Sequence, residues 1–338
     1  MRARIALFAV ALLCLAPVAV AAAPAAPLPA QAKPASSHAP YEAGDCSLCH
    51  QGADPRQPGA VKGAVNDLCL GCHDEFVAVL ERANTHAPAR ASCTSCHNPH
   101  NAPRPKLLMT DTVALCAGCH DAVAKVAAQS KVPHRAVSTG AQCLNCHNPH
   151  GSAVQKLLVR EPFDLCVACH DNGNMTGANG RKLQNVKQWL DDNKVWHGPV
   201  AAKDCSNCHE PHGSRNFRLL KEEYPPEFYA AYDARSYALC FSCHQEAAFS
   251  TPKTTTLTSF RNGDQNLHYV HLQQPGRGRT CRACHEVHAS KQDHHIREGV
   301  PYGSSGWVLK LNYRKSANGG SCEKTCHQEK KYANVASR

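Results

Sequence analysis

One short motif, a Cys followed after two residues by a second Cys and then directly by His, recurs along most of the chain. It occurs nine times with this spacing and a tenth time, at 322–327, with three residues between the cysteines. The ten motifs form five pairs, and the first cysteines of a pair lie 23 residues apart in the first three pairs, 35 in the fourth and 41 in the fifth. A spacing repeated three times indicates a structural module.

Every cysteine beyond residue 14 belongs to one of these motifs. The motif cysteines are Cys46, Cys49, Cys69, Cys72, Cys93, Cys96, Cys116, Cys119, Cys143, Cys146, Cys166, Cys169, Cys205, Cys208, Cys240, Cys243, Cys281, Cys284, Cys322 and Cys326. The motif histidines are His50, His73, His97, His120, His147, His170, His209, His244, His285 and His327. No cysteine of the mature chain is left over for a disulfide, which argues against a disulfide framework.

The motif is the attachment signature of c-type haem, in which two thiols bind the haem covalently and the adjacent His takes one axial position on the iron. Pairs of Cys-x-x-Cys also form zinc sites, but zinc does not require a His after every second cysteine. The sequence therefore predicts about ten covalently attached c-type haems, with the motif cysteines as cofactor-binding residues and the motif histidines as proximal iron ligands.

Twelve histidines lie outside the motifs, and ten would be needed if every iron had a second histidine. Nine recur at fixed places and are predicted to be distal ligands. Five of these precede a pair (His38, His86, His134, His197 and His271), and four follow the first motif of a pair (His100, His150, His212 and His288). The other three, His268, His294 and His295, are further candidates near the fifth pair.

A histidine three residues beyond its own motif lies on the proximal side of that haem. We therefore expect His100, His150, His212 and His288 to ligate a neighbouring haem. The first pair lacks this histidine, since Gln51–Ala53 stands in its place, whereas the last pair has extra ones. A terminal histidine could cross to a neighbouring subunit and give head-to-tail self-association. The alternatives are a fold-back within the chain or one differently ligated haem.

The motifs and composition also suggest how the chain is divided. Residues 1–22 have the basic start, short apolar core and small residues of a signal peptide, so we expect export. The predicted segments are the signal peptide 1–22, an Ala/Pro-rich linker 23–37, two-haem repeats at 38–73, 86–120, 134–170, 197–244 and 268–327, and a tail at 328–338.

The chain contains too few large apolar residues for conventional cores, since only 6% of its residues are aromatic. Haem would supply the missing buried mass, so we expect a haem-cored, mostly irregular fold with short α-helices and little β-structure, arranged as an elongated array of five repeats. Helices are predicted at Glu75–Arg82 and Ala122–Gln129, with the longest at Arg181–Lys194. The formal charge of +10 would be offset by haem propionates, and no nucleic-acid partner is expected.

The recurring pattern His…Cys-x-x-Cys-His-Asn-Pro-His-Gly-Ser…Leu-Leu…Leu-Cys-x-x-Cys-His resembles the multihaem c-type cytochromes built from doubled CXXCH repeats, over about residues 38–327. The length and motif count are similar to those of decahaem cytochromes that sit in outer-membrane porin conduits. This resemblance implies a thin protein shell around a row of haems and electron exchange between periplasm and exterior. The partners it implies are redox proteins, a porin or an extracellular acceptor.

Iron with two axial histidines has no open position for a substrate, so we expect an electron-transfer protein rather than an enzyme. The expected location is the periplasm, the outer membrane or the cell surface. One alternative is a multihaem reductase of nitrite, hydroxylamine or sulfur oxyanions, which needs one haem with an open site in the first pair or at Cys322–Cys326. The other alternative is a polymerising haem filament.

Overall fold

The computed structural model describes residues 34–177, 180, 182–302, 307–323 and 326–335. Most of this part is irregular chain, interrupted by helices of four to nine residues and strands of two to four residues. The helices are α1 Ala39–Glu42, α2 Val65–Leu70, α3 Val77–Leu80, α4 Ala87–Ala91, α5 Thr112–Ala117, α6 Asp121–Gln129, α7 Pro162–His170, α8 Val186–Asp192, α9 Gly198–Ala201, α10 Ala238–Phe241, α11 Ala247–Ser250 and α12 Leu267–Leu272. The strands are β1 Ser36–Ser37, β2 Asn84–Thr85, β3 Asn101–Ala102, β4 Gly151–Ser152, β5 Val195–Trp196, β6 Arg261–Asn262, β7 Gln265–Asn266, β8 Ala289–Ser290, β9 Gly299–Pro301, β10 Val308–Lys310, β11 Tyr313–Ser316, β12 Gly319–Cys322 and β13 Lys330–Ala333.

The two motifs of a pair adopt different backbone structures. The first motif begins on a short 3₁₀ turn, as at Cys46–Leu48, whereas the first cysteine of the second motif lies in an α-helix in the first four pairs, as in α2. In both cases the motif closes one helical turn. The amide of His50 donates to the carbonyl of Cys46, and the amide of His73 donates to that of Cys69, both at 2.9 Å. One turn therefore places two thiols and an imidazole close together.

Short antiparallel pairings join each repeat to the next one. The strand before the upstream histidine of one repeat pairs with the strand after the downstream histidine of the following repeat, in β1–β3, β2–β4 and β5–β8. At the third junction the pairing is a single bridge between Val132 and Ser214. These contacts hold successive repeats in a fixed register, which the spacing of the motifs alone does not specify.

The buried apolar residues lie mostly in the second half of the chain. One cluster contains Leu220, Tyr224 and Tyr237, and a second contains Val300, Leu309 and Leu311. The segment that follows the second cluster forms a three-stranded antiparallel sheet in the order β11–β12–β13. The sequence did not predict this sheet, because its strands are short and rich in polar residues.

The helix predictions are only partly correct. Ala122–Gln129 lies within α6, but Glu75–Arg82 is divided between a 3₁₀ turn at Asp74–Phe76 and α3. The helix expected at Arg181–Lys194 begins only at Val186, where the side chain of Asn185 accepts from the amide of Gln188, so it is shorter than α6 and α7. The cap explains the later start, since an N-cap Asn satisfies an otherwise unpaired amide.

The general expectation of irregular chain with short helices and little sheet is confirmed. Among the described residues, no helix has the length and apolar character needed to cross a membrane. The expected signal peptide and most of the Ala/Pro-rich linker lie outside the described residues.

Candidate haem centres

The ten motifs are numbered here as sites 1 to 10 in sequence order, so that each repeat contains one odd and one even site. Sites 1 to 10 are defined by the motif histidines His50, His73, His97, His120, His147, His170, His209, His244, His285 and His327. The structure gives nine of these histidines a second, nearly parallel histidine ring.

The second ring stands at almost the same distance in all nine sites. The ring centroids are 6.1 to 6.4 Å apart and the ring planes differ by 4 to 31°. A metal held by two imidazoles through metal–nitrogen bonds of about 2 Å separates the centroids by roughly 6 Å. The histidine pairs therefore fit an iron held between them, with the motif cysteines beside one ring as attachment points for haem.

At sites 2, 4, 6 and 8 the second ring comes from the same repeat. The upstream histidine of each repeat faces the second motif histidine of that repeat. These pairs are His38–His73, His86–His120, His134–His170 and His197–His244.

At sites 1, 3, 5 and 7 the second ring comes from the following repeat. These pairs are His50–His100, His97–His150, His147–His212 and His209–His288. Each downstream histidine thus faces the first site of the preceding repeat and not its own. The first repeat lacks a downstream histidine, yet both of its sites have a facing ring. His100 faces His50, and His38 faces His73.

In the fifth repeat the first site uses a histidine of the same repeat. His268, one of the three additional candidates, faces His285 at 6.4 Å. His271, three residues further along α12, is close enough to His327 for the two rings to interact electrostatically. Among the described residues, His327 is the one motif histidine that no second histidine ring faces.

The structure does not place His294 and His295 in a stacked pair. His294 contributes its backbone carbonyl, which accepts from Nδ1 of His285 at 2.7 Å. His295 packs edge-on against His197 at 5.3 Å, and its Nδ1 is buried without a hydrogen-bond partner.

Backbone carbonyls fix the orientation of many of these rings. In the first motif of every repeat, Nδ1 lies 2.7 to 2.9 Å from the carbonyl oxygen nine residues later, in Gly59, Lys106, Lys156, Arg218 and His294. A carbonyl can only accept, so Nδ1 carries the proton and Nε2 is free for a metal. The sequence shows the basic residues of this turn, but not that their carbonyls hold the motif histidines.

Burial keeps several of these histidines neutral, which is the form that ligates iron. Desolvation lowers the pKa of His268 to about 3 and that of His288 to about 4, with smaller effects from neighbouring cationic groups. The pKa values of His209 and His285 are also lowered, again mainly by burial.

Cysteines of successive repeats meet at every junction. Burial, together with a hydrogen bond to Cys93, raises the pKa of Cys69 to about 11, and Cys116 has the same relationship to Cys143. At the next junction a thiol–thiol hydrogen bond raises the pKa of Cys166 and lowers that of its partner Cys205 to about 7. At the last junction, the nearby thiol of Cys240 together with burial raises the pKa of Cys281. These four contacts place sites 2 and 3, 4 and 5, 6 and 7, and 8 and 9 side by side.

Cysteines also approach one another within each repeat. The second cysteine of the first motif lies within electrostatic range of the second motif. These pairs are Cys49–Cys69, Cys96–Cys119, Cys146–Cys169, Cys208–Cys240 and Cys284–Cys322. Combined with the four junction interactions, they place cysteines of each site near those of the next site in sequence order.

Two phenylalanines that the motif pattern does not include stand between neighbouring sites. Phe76 contacts His73 of site 2 and, at 4.8 Å, the ring of His150 at site 3. Phe249 contacts His244 of site 8 and His268 of site 9. Their positions three and five residues after a motif histidine are the only sequence signal that could have identified them.

Comparison with known proteins agrees with this architecture. The sequence model of the doubled CXXCH motif family matches residues 38–78, 86–125, 134–175 and 197–249, which together make up just over half of the chain. The fifth repeat, with its longer insertion and its wider last motif, is outside the match. No curated protein matches the chain. The repeated match, with cysteine pairs and facing histidines at the matched positions, shows that this chain belongs to the doubled CXXCH motif family, whose repeats indicate a multihaem c-type cytochrome.

Proposed function

We propose that the protein is an electron carrier that holds ten c-type haems in a single row, each iron bound by two histidines. Bound haem supplies iron that takes up and releases one electron. The protein's residues attach the haems, fill both axial positions and fix the order of the sites. The observation that carries this proposal is the proximity of cysteines in successive sites, each close enough to the next site for an electrostatic interaction.

The facing histidine rings support the proposed ligand sets. Sites 1 to 9 take the second ring described above, and site 10 takes His271. This assignment uses twenty histidines and leaves His294 and His295 as non-ligands. In this assignment every site, including those of the first and fifth repeats, takes both histidines from one chain. His268 folds back onto site 9 of its own repeat, which replaces the head-to-tail donation between subunits that the sequence suggested. Sizing of the holoprotein tests this point, because ligand donation between subunits requires oligomers.

Removal of one haem from the middle of the row tests electron transfer along the sites. A photoreductant is attached to a cysteine introduced at Lys62, an exposed residue twelve positions after His50. His268→Met gives site 9 a distinct spectrum, so that the arrival of an electron there can be followed. The double variant Cys166→Ser/Cys169→Ser removes the haem of site 6, and Cys322→Ser/Cys326→Ser removes that of site 10 as the matched control.

We expect reduction of site 9 to be strongly slowed when site 6 is missing and to be unchanged when site 10 is missing. Equal rates in the two variants would overturn the proposed order. Haem content measured as iron per chain checks the count of ten independently, and a value well below ten would contradict it.

The structure also supports a second candidate, a reductase with an open site at site 10. His327 lacks a stacked histidine partner in the described chain, and its Nδ1 bonds only to the neighbouring carbonyl of Gln328. A high-spin signal that shifts on addition of nitrite or cyanide, and disappears in Cys322→Ser/Cys326→Ser, would favour this function. If all haems are low-spin and their signals do not change on addition of nitrite or cyanide, the reductase function is excluded.

For the location, we propose the periplasmic side of an outer membrane, in electron exchange with a redox protein, a porin-type conduit or an extracellular acceptor. The support is the signal-like N-terminus and the resemblance to conduit cytochromes. Fractionation followed by protease treatment of intact cells tests this proposal. Recovery of the haem-loaded protein in the cytoplasm would overturn it.

A further inference from the structure

The residue two positions before each downstream histidine differs between the two halves of the chain. It is Asn98 and Asn148 in the second and third repeats, and Glu210 and Glu286 in the fourth and fifth. In three of the four repeats its side-chain oxygen has the same local role, because it accepts from the amide of the downstream histidine. The distances are 3.0 Å at Asn98 and Asn148 and 3.3 Å at Glu210. The asparagine amides and the Glu210 carboxylate thus accept the same backbone hydrogen bond, but only the carboxylate carries a negative charge.

Glu210 places this charge beside the imidazole of His212. Its Oε1 lies 3.3 Å from Nδ1 of His212, and both side chains are only about one-third exposed. Apolar side chains of α6, those of Ala122, Val123 and Val126, line the same cavity. About two-thirds of each side chain is buried, so solvent screens the ring from the carboxylate less than bulk water would.

Glu286 has a counter-charge that Glu210 lacks. Its Oε1 is 3.8 Å from Nδ1 of His288, but its Oε2 forms a 2.8 Å ion pair with Arg297, in which each side chain is 10% exposed. Glu75 also approaches a motif histidine, His73, at 3.6 Å, but from a largely exposed position. Glu210 is therefore the carboxylate from which we expect the largest effect.

We propose that Glu210 lowers the reduction potential of site 5, through His212, relative to site 3, where Asn148 stands in the equivalent position. The proposal rests on the assignment of His212 and His150 as axial ligands. A negative charge beside an axial imidazole makes the ring a stronger donor and favours the more positively charged oxidised iron. The fourth repeat would thus mark a step in potential along the row of sites.

Potentiometric titration of the complete holoprotein, followed by electron paramagnetic resonance, tests the proposal with Glu210→Gln and Asn148→Asp. Both substitutions keep the side-chain oxygen that accepts from the backbone and change only the charge. We expect one-tenth of the haem signal to move to higher potential in Glu210→Gln and to lower potential in Asn148→Asp. The expected size is about a tenfold change in the oxidised-to-reduced ratio, or about 59 mV for one electron.

Two controls separate a charge effect from a structural one. Glu210→Asp should keep most of the original potential, and Glu222→Gln, which removes an exposed carboxylate of the same repeat, should change nothing. Unchanged potentials in Glu210→Gln, or shifts of the same sign in Glu210→Gln and Asn148→Asp, would overturn the inference.

The low-spin haem content of His212→Ala, measured separately, reports on the ligand assignment. If this variant keeps every haem low-spin, the assignment of His212 and with it the proposed ligand set fails. If one haem becomes high-spin while Glu210→Gln leaves the potentials unchanged, only the inference about Glu210 fails.

Discussion

Nδ1 of His38 lies 2.9 Å from the carbonyl oxygen of Pro99, so the histidine that faces His73 of site 2 is anchored on the repeat that follows it. The ring of His100, the next residue, faces His50 of site 1. The Asn-Pro-His segment therefore has two functions, because its proline carbonyl orients one histidine while its own histidine faces a second site. The same anchor recurs at His86 with Pro149 and at His134 with Pro211.

The first prediction concerns His150, whose ring faces His97 at 6.1 Å. His150→Ala should leave the haem of Cys93 and Cys96 without its second axial ligand. We expect one haem in ten to become high-spin, as measured by electron paramagnetic resonance. In a background that lacks this haem through Cys93→Ser/Cys96→Ser, His150→Ala should cause no further change. A change confined to the haem of Cys143 and Cys146 would contradict the assignment.

The second prediction concerns the packing of α8. Leu190 is 2% exposed, and its carbonyl accepts from the indole of Trp196 at 3.0 Å. Leu190→Ala should lower the free energy of unfolding by about 2–5 kcal/mol, because it leaves a cavity that the surroundings cannot fill. Leu183→Ala, at a position 37% exposed, is the matched control and should stay within about 0.5 kcal/mol of the wild type. Denaturant titration of the holoprotein measures both, and equal losses would show that α8 is not buried as described.

The motifs in the sequence were sufficient to predict the irregular, helix-poor fold and the residues that define the ten sites. The pairing of histidines required the structure, because a ring can be supplied from a residue more than 50 positions away, as His288 is for His209. From the sequence, the surplus of histidines near the fifth pair and the deficit at Gln51–Ala53 suggested donation between subunits. They are one consequence of each downstream histidine facing the preceding repeat, which no local spacing shows.

The secondary-structure errors have a similar origin. The span Arg181–Lys194 has helical periodicity, but the cap at Asn185 determines where the helix begins. The sheet of β11, β12 and β13 depends on hydrogen bonds between strands whose residues do not alternate between apolar and polar. Hydrophobic periodicity contains no signal for either feature.

The third prediction contrasts two buried tyrosines of one cluster. The hydroxyl of Tyr224 accepts from the amide of Arg282 at 2.8 Å, whereas that of Tyr237 is buried without a partner. Tyr224→Phe should lower the free energy of unfolding by about 1–3 kcal/mol, because it leaves the Arg282 amide without an acceptor. Tyr237→Phe should leave the free energy of unfolding unchanged or raise it. Denaturant titration measures the difference, and a larger loss for Tyr237→Phe would contradict it.

The fourth prediction concerns the alkaline stability of the same cluster. Burial raises the pKa of Tyr237 above its usual value, so the folded protein favours the protonated form. The contribution of this shift to the free energy of unfolding is fully present below the unfolded-state tyrosine pKa of about 10 and is lost as the pH rises above that value. Tyr237→Phe should therefore make the free energy of unfolding fall less steeply above pH 10 than in the wild type. Parallel curves for the two proteins between neutral pH and pH 12 would contradict this expectation.

The last prediction separates His268 from His271, which lie three residues apart on α12. His268 faces His285, and the rings of Phe249 and Phe260 hold it at 5.0 and 5.1 Å. His268→Ala should make the haem of Cys281 and Cys284 high-spin, because His268 supplies the histidine ring that faces His285. His271→Ala should affect only the haem of Cys322 and Cys326.

The control for these two variants is His294→Asn, which removes an imidazole from the same repeat and suits the positive φ of 57° at this residue. It should leave all haems low-spin, because His294 contributes only its carbonyl, to Nδ1 of His285. Each double variant that also lacks the cysteines of the affected site should show no additional high-spin signal. If His294→Asn produced a high-spin haem and His268→Ala did not, the fold-back that completes the last repeat would be wrong, and donation from a second subunit would again be needed.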